Sequence, residues 1–457
     1  MKDVKKFRRN MRISLGLFVA LFVMLIVYLG YSVVTYGEKW FATPYNPRVQ
    51  RAVENVSAGD ILDRSGVKLA WTQDGKRSYS GDKTTRLAMS HVVGDIYGKS
   101  VGAETIFAKY LYGLDKDLLA RFQDARRGRE DEGNDITLTA DSALSQYIYK
   151  NMNGKKGAVV VLNYKTGEVL ASVSLPAFDP NTVGTKEPAD TALVDRAVMG
   201  RYPPGSIMKI VTAAAAIEDD VDLKYTCTGS EIIAGQKVTC VHAHGELTLK
   251  EAFAHSCNTY FANLAVKLGG QRLKEKAEAF GFNDKFNFQD MSLYASNFEV
   301  SAEDGDVAWA GIGQYNDLIT PMHAAMLAGA VANDGVMMQP RLLRDVALGG
   351  YSAYNFTPRQ YRRVMSASTA RVLREYMREV VKSGTGTSAA VKGATMYGKT
   401  GTAEFVEKGE TKNHSWFVGF IDDDDHPYAI SVIFEGAGFG SRYAAPMAAK
   451  VMKRAIS

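Results

Sequence analysis

The chain has no internal repeat, low-complexity tract or coiled-coil register, which excludes solenoid and fibrous architectures. It also has almost no net charge beyond its first 12 residues. Those residues hold Lys2, Lys5, Lys6, Arg8, Arg9 and Arg12 against Asp3, so they carry the whole formal charge of +5. A nucleic-acid binder carries its basic excess on a folded face, and that class is excluded. Charged residues are missing altogether from Ile13 to Gly37. About 20 apolar residues cross a hydrocarbon core, so Ile13–Val34 predicts a transmembrane anchor. Tyr28, Tyr31, Tyr36 and Trp40 stand toward its far end as interfacial aromatics. No Ala-x-Ala-like site marks a cleaved signal peptide. The positive-inside rule puts residues 1–12 in the cytoplasm and everything after residue 37 outside.

Cysteine is scarce: only Cys227, Cys240 and Cys257 occur. All three fall on the external side, where disulfides form. Cys227 and Cys240 would close a short loop and are a candidate disulfide. Cys257 reads as a small buried side chain. Together with His242, His244 and His255 these cysteines form a set zinc could use. The plainer reading is a surface loop, bridged or not, with no metal.

At 457 residues and 46% hydrophobic, the chain supports two to three domains. Residues 38–57 read as a polar stalk. Ala58–Ala70 alternates like a strand, turns at Ser65-Gly66 and continues as a second strand. The charged, Gly-containing stretch Arg126–Asn134 marks a domain boundary. Strands are predicted at Gly157–Leu162 and Glu168–Val173, joined by the turn Asn163–Gly167. Three more are predicted at Met396–Phe405, His414–Ile421 and Tyr428–Phe434. Helix-rich sequence lies between, at Ser206–Glu218, Thr248–Leu268, Ala308–Asn333 and Ser368–Ser383, and Ala444–Ile456 reads as a final helix. The fold expected is α+β: a five-stranded antiparallel sheet covered by helices. The organisation expected is a tail at 1–12, an anchor at 13–34, a smaller β-rich pedestal at 35–135 and the main domain at 136–457.

Three motifs stand in order: Ser206-Ile-Met-Lys209, Ser256-Cys-Asn258 and Lys399-Thr-Gly-Thr402. Ser-x-x-Lys also occurs at Ser65 and Ser80, and Lys-Thr-Gly at Lys165, so order, spacing and context carry the weight. Pro203-Pro-Gly205 sets a sharp helix start at Ser206, where free N–H groups favour negative charge. Lys209 lies one turn along the same face. It can act as a base only when neutral, which needs burial and a second cation, Lys399, to lower its pKa. Ser256 suits proton relay to a leaving amine, and Asn258 suits holding a substrate amide. Gly401 lets a substrate backbone approach the strand, and Lys399 and Thr400 suit a terminal carboxylate. The backbone N–H groups of Ser206 and Thr402 would form an oxyanion hole. Each motif alone is ordinary: a capped helix, a turn, a strand with an exposed lysine.

Together they resemble the penicillin-binding proteins and serine β-lactamases, which share the triple motif. The middle motif is Ser-Cys-Asn where many members have Ser-Asp-Asn. Gly200–Lys209, His255–Phe261, Gly311-Ile-Gly-Gln314, Tyr397–Glu404 and Ser415–Phe420 are also similar to family segments. Ile61-Leu-Asp-Arg-Ser-Gly66, His91-Val-Val-Gly94 and Gly102-Ala-Glu104 resemble the dimerisation-like pedestal of the class B, monofunctional branch. An Arg-Gly pair usually precedes the first of these; here it is Ala58-Gly59, which puts the pedestal's internal salt bridges in doubt. The resemblance implies a peptidoglycan D,D-transpeptidase. Ser206 would attack the penultimate D-Ala carbonyl of a stem peptide, and a neighbouring stem's amine would resolve the acyl-enzyme into a 3-4 type cross-link. β-Lactams would acylate the same serine, with no metal or cofactor. A single-pass place in a bacterial cell membrane and a SEDS-family glycan polymerase as partner are further implications. The pedestal leaves too little chain for a glycosyltransferase domain, and no repeat module is expected after the last helix. The alternatives are a D,D-carboxypeptidase or β-lactamase of the same fold, or a non-catalytic division scaffold or β-lactam sensor. Intact motifs oppose the scaffold, and a 12-residue tail supplies no signalling domain for the sensor.

Overall fold

The computed structural model describes residues 2–457 except 42–55, 117, 129–130, 190, 349–350, 353–356 and 408. Most of the expected stalk, and the side chains of Tyr36 and Trp40, lie outside the described residues. The first helix is Lys2–Phe41. Within it Val4–Val33 is the one helix among the described residues long and apolar enough to cross a membrane, and none of its apolar window is buried against protein.

The pedestal is built on a six-stranded sheet with the order 351–352, 343–348, 135–138, 61–62, 68–73, 76–79. The hairpin at Ser65-Gly66 pairs Ile61 with Ala70, and Gly66 takes φ +84° in the turn. Asp135–Leu138 runs parallel to Ile61–Leu62 and antiparallel to Leu343–Leu348. A domain boundary between residues 135 and 136 therefore cuts a strand. The charged stretch before it is the approach to the strand, and the partner from 343–348 lies some 200 residues away in sequence. The arginine missing before Gly59 has a substitute. Arg77 donates to Glu104 at 2.7 Å and to the Gly59 carbonyl at 2.8 Å, with both side chains almost fully buried.

The main domain is organised by a five-stranded antiparallel sheet. Its strands are β1 (Gly157–Asn163), β2 (Val169–Leu175), β3 (Met396–Glu407), β4 (Glu410–Ile421) and β5 (Tyr428–Phe434), in the order β3-β4-β5-β1-β2. The first hairpin thus returns to pair with the last three strands, β5 against β1. Alternate side chains of a strand face opposite sides. In β1, Val159 and Val161 pack into one buried cluster, and Ala158, Val160 and Leu162 into another. Both faces are covered, which is why β1 reads as an unbroken apolar run.

Helices α1 (Ser142–Met152) and α7 (Ala444–Ala455) cover the first face. Against the second lie α2 (Lys209–Glu218), α3 (Leu249–Ala254), α4 (Asn258–Leu268), α5 (Pro321–Ala332) and α6 (Ala367–Lys382). Every residue of α5 is buried, as an all-apolar helix at the centre of a domain requires. Pro321 opens it and the Thr320 hydroxyl accepts from the His323 amide. β3 is one of the sheet's two edges, the one that faces the amino-terminal end of α2.

Candidate active site

Ser206 lies on a single 3-10 turn, Gly205–Ile207, and the α-helix begins only at Lys209. The expected α-helical start is thus displaced by three residues. Gly205, whose φ of +53° is left-handed, bars a helical path on the amino-terminal side of Ser206. A Cβ there would meet the Thr402 carbonyl oxygen at 2.5 Å, so the position also lets β3 approach the turn. Three bonds hold the turn in place. The Gly205 amide donates to Gly313 O at 2.9 Å, the Met208 amide to Gly205 O at 2.9 Å, and Trp416 Nε1 on β4 to Pro203 O at 3.1 Å. Ser206 is half-buried, and among the described residues its hydroxyl has no hydrogen-bond partner.

Sequence 248–268 is not one helix. It breaks between α3 and α4, and the break is Ser256, at φ +57°. A serine in the left-handed region is strained by about 1–2 kcal/mol. The strain turns its hydroxyl toward two lysines. Lys209 Nζ donates to Ser256 O at 2.8 Å, to Asn258 Oδ1 at 2.7 Å and to Ser256 Oγ at 3.3 Å. Lys399 Nζ donates to the same Oγ at 2.9 Å and to Thr400 O at 3.1 Å. One hydroxyl therefore bridges two amines, and the three motifs meet there.

Both amines are fully buried. Burial pushes Lys209 down to about 8, against the opposing pull of the Cys257 and Cys240 sulfurs. Lys399 is driven well below its usual value, by burial first and by Lys209 second. A neutral amine is thus within reach near neutral pH, and two adjacent ammonium groups are disfavoured. The surprise is Lys399. It is no exposed strand lysine, and its amine points at Ser256 rather than into open solvent.

Ser206, Ser256, Asn258, Thr400, Gly401 and Thr402 line one cleft of about 680 Å³. A separate cavity of about 150 Å³, around His91, Asp195 and Tyr294, is away from this chemistry. The cleft also takes in Thr385, whose hydroxyl lies 2.5 Å from that of Thr400. Sequence reasoning missed Thr385, because Gly384-Thr-Gly386 reads only as a turn.

The candidate Cys227–Cys240 disulfide is not formed. The two sulfurs are 3.8 Å apart and all three cysteines are free, whereas a disulfide holds its sulfurs at about 2.05 Å. Cys227, Cys240, His244 and Cys257 converge beside the Ser256 turn. His242 and His255 do not join them: His242 lies in the loop 240–244 past the strand Gln236–Thr239, whose side chains do not alternate, and His255 ends α3.

A serine sharing a cleft with a second serine whose hydroxyl bridges two buried lysines is the equipment of an acyl-transfer site. The family described as penicillin binding protein transpeptidase domain matches residues 157–453. The chain belongs to this family. Among the penicillin-binding proteins, the peptidoglycan D,D-transpeptidase PbpA of Mycolicibacterium smegmatis is 28% identical over 96% of this chain and 97% of its own. The peptidoglycan D,D-transpeptidase MrdA of Haemophilus influenzae is 30% identical over 70% of this chain and 56% of its own. The penicillin-binding protein A of M. tuberculosis, solved as a penicillin G acyl-enzyme complex, superposes with a TM-score of 0.79 at 26% identity. That match covers 88% of this chain and all of the other.

Proposed function

We propose that this penicillin-binding protein is a peptidoglycan D,D-transpeptidase with Ser206 as nucleophile. The observation that carries the reading is the Ser256 hydroxyl shared by the amines of Lys209 and Lys399 beside the Ser206 turn. Neutral Lys209 takes the proton from Ser206 Oγ as the oxygen bonds to the penultimate D-Ala carbonyl carbon. The N–H groups of Ser206 and Thr402 hold the oxyanion. As the carbonyl reforms, the bond to the terminal D-Ala nitrogen breaks, and the proton passes through Ser256 Oγ to that leaving amine. The amine of a neighbouring stem then attacks the ester, and the same groups return the proton to Ser206. Asn258 holds the donor's amide, and Thr400 with the Lys399 side of β3 receives the terminal carboxylate. β-Lactams enter as the same kind of donor and stop at the ester.

The apolar first helix anchors the protein to a bacterial membrane, with its basic end in the cytoplasm and the catalytic domain outside. The pedestal holds the cleft away from the bilayer, and a SEDS-family glycan polymerase is a suitable partner, since this fold polymerises no glycan. Labelling the full-length chain in detergent with a fluorescent penicillin, beside Ser206→Ala, tests the reading. Stable label lost in the variant supports it. Rapid release of label points instead to a β-lactamase, and label retained in Ser206→Ala removes the proposed nucleophile.

A further inference from the structure

We propose that Cys227, Cys240, His244 and Cys257 form a structural zinc site that clamps the Ser256–Asn258 segment in its working position. This goes beyond the acyl-transfer reading and replaces the expectation of a metal-free protein.

The four ligand atoms all lie within 4.8 Å of one another. A tetrahedral zinc bonds sulfur at about 2.3 Å and imidazole nitrogen at about 2.0 Å. That geometry sets sulfurs about 3.8 Å apart and sulfur about 3.5 Å from nitrogen. Here Cys227 Sγ is 3.8 Å from Cys240 Sγ, Cys240 Sγ is 3.7 Å from Cys257 Sγ, and Cys227 Sγ is 3.4 Å from His244 Nδ1. Cys240 is nearly equidistant from its two neighbours, so no pair is singled out for a disulfide.

Donors point the same way. The amides of Asn258 and Thr259 donate to Cys240 Sγ at 3.2 and 3.4 Å, the Tyr260 amide to Cys257 Sγ at 3.5 Å, and Thr259 Oγ1 to Cys227 Sγ at 3.3 Å. Such a shell stabilises thiolates, as the outer partners of metal ligands do. Three thiolates in contact repel unless a cation sits among them. Thiolate with imidazole selects zinc, and four protein ligands with no open position mark a structural rather than a catalytic ion.

The ligands come from two small hairpins and a helix cap. Cys227 ends the strand Tyr225–Cys227, Cys240 and His244 follow Gln236–Thr239, and Cys257 caps α4. Asn258 Nδ2 also donates to Thr239 O at 2.8 Å. Zinc would therefore tie residues 225–247 to the one residue between Ser256 and Asn258. That explains why cysteine can stand in the middle of the motif, and it supplies an outside restraint for the left-handed Ser256.

The test is metal content. The full-length chain is purified in detergent from zinc-supplemented medium, passed over a chelating resin and measured by elemental analysis. The expected result is about one zinc per chain, retained in His242→Ala and His255→Ala and lost in Cys240→Ala and His244→Ala. If Cys240→Ala does not fold, cobalt(II) exchange into the wild-type chain decides, with the visible spectrum of a tetrahedral thiolate site expected. A folded wild-type chain that holds neither zinc nor cobalt overturns the proposal. So does a disulfide among these cysteines in mass spectra of the unreduced chain, or equal zinc loss in His242→Ala. None of these readouts depends on acyl transfer.

Discussion

Burial of Lys209 makes the rate of acylation by a β-lactam a titration of that amine. With its pKa pushed from 10.5 to about 8, about one amine in ten is neutral at pH 7, against about one in 3,000 for an ordinary lysine. The gain is about 300-fold in competent base. The acylation rate of the full-length chain should therefore rise about ninefold from pH 6 to pH 7, about fivefold from 7 to 8, and level off above 9. The same shift acts on stability with a definite sign. A folded pKa below the unfolded one costs about 3 kcal/mol, in full below pH 8 and fading as pH climbs to 10.5. Lys209→Met should abolish acylation while leaving the fold as stable or more so, because an amine whose charged form is penalised by burial is removed. The unpaired Ser256 O and Asn258 Oδ1 offset part of that gain. Stopped-flow acylation across pH 6–10 and thermal melts check both halves. A flat profile, a midpoint near 10.5, or Lys209→Arg acylating within about tenfold of wild type would refute the reasoning.

Three other substitutions probe separate parts of the account. Gly205→Ala forces a Cβ onto the Thr402 carbonyl at φ +53°. It should cost about 1–3 kcal/mol in denaturant melts and slow acylation by displacing Ser206. Arg77→Met leaves Glu104 buried without its cation and should destabilise the pedestal by about 3–5 kcal/mol, read as an early phase in limited proteolysis. Thr385→Val removes the hydroxyl beside Thr400. It should weaken the second-order acylation constant through binding, by about tenfold, the worth of one hydrogen bond, with little change in melting temperature.

The sheet and the motifs were legible because their information is local. β1 to β5 announce themselves as apolar runs bounded by turns, and Lys209 follows Ser206 by one helical turn. The rest depends on contacts between distant segments. Nothing near Lys399 in sequence says that its amine is buried against Ser256, 143 residues earlier. The left-handed Ser256 is hidden inside helix-favouring sequence. The pedestal's debt to residues 343–348 is invisible because the antiparallel pairing with Asp135–Leu138 joins segments some 200 residues apart. The cysteine cluster was half legible: the sequence grouped Cys227, Cys240, His244 and Cys257 with His242 and His255, and the structure singles out the four that converge.

The measurement that bears most directly on the central claim is partition of the acyl group. The full-length chain is given a thioester analogue of the D-Ala-D-Ala donor, with a D-amino acid as acceptor amine and water as competitor. The expected result is an acyl adduct on the peptide containing Ser206 and an aminolysis product that outweighs hydrolysis, both lost in Ser206→Ala. Hydrolysis alone, or transfer that persists in Ser206→Ala, would contradict it.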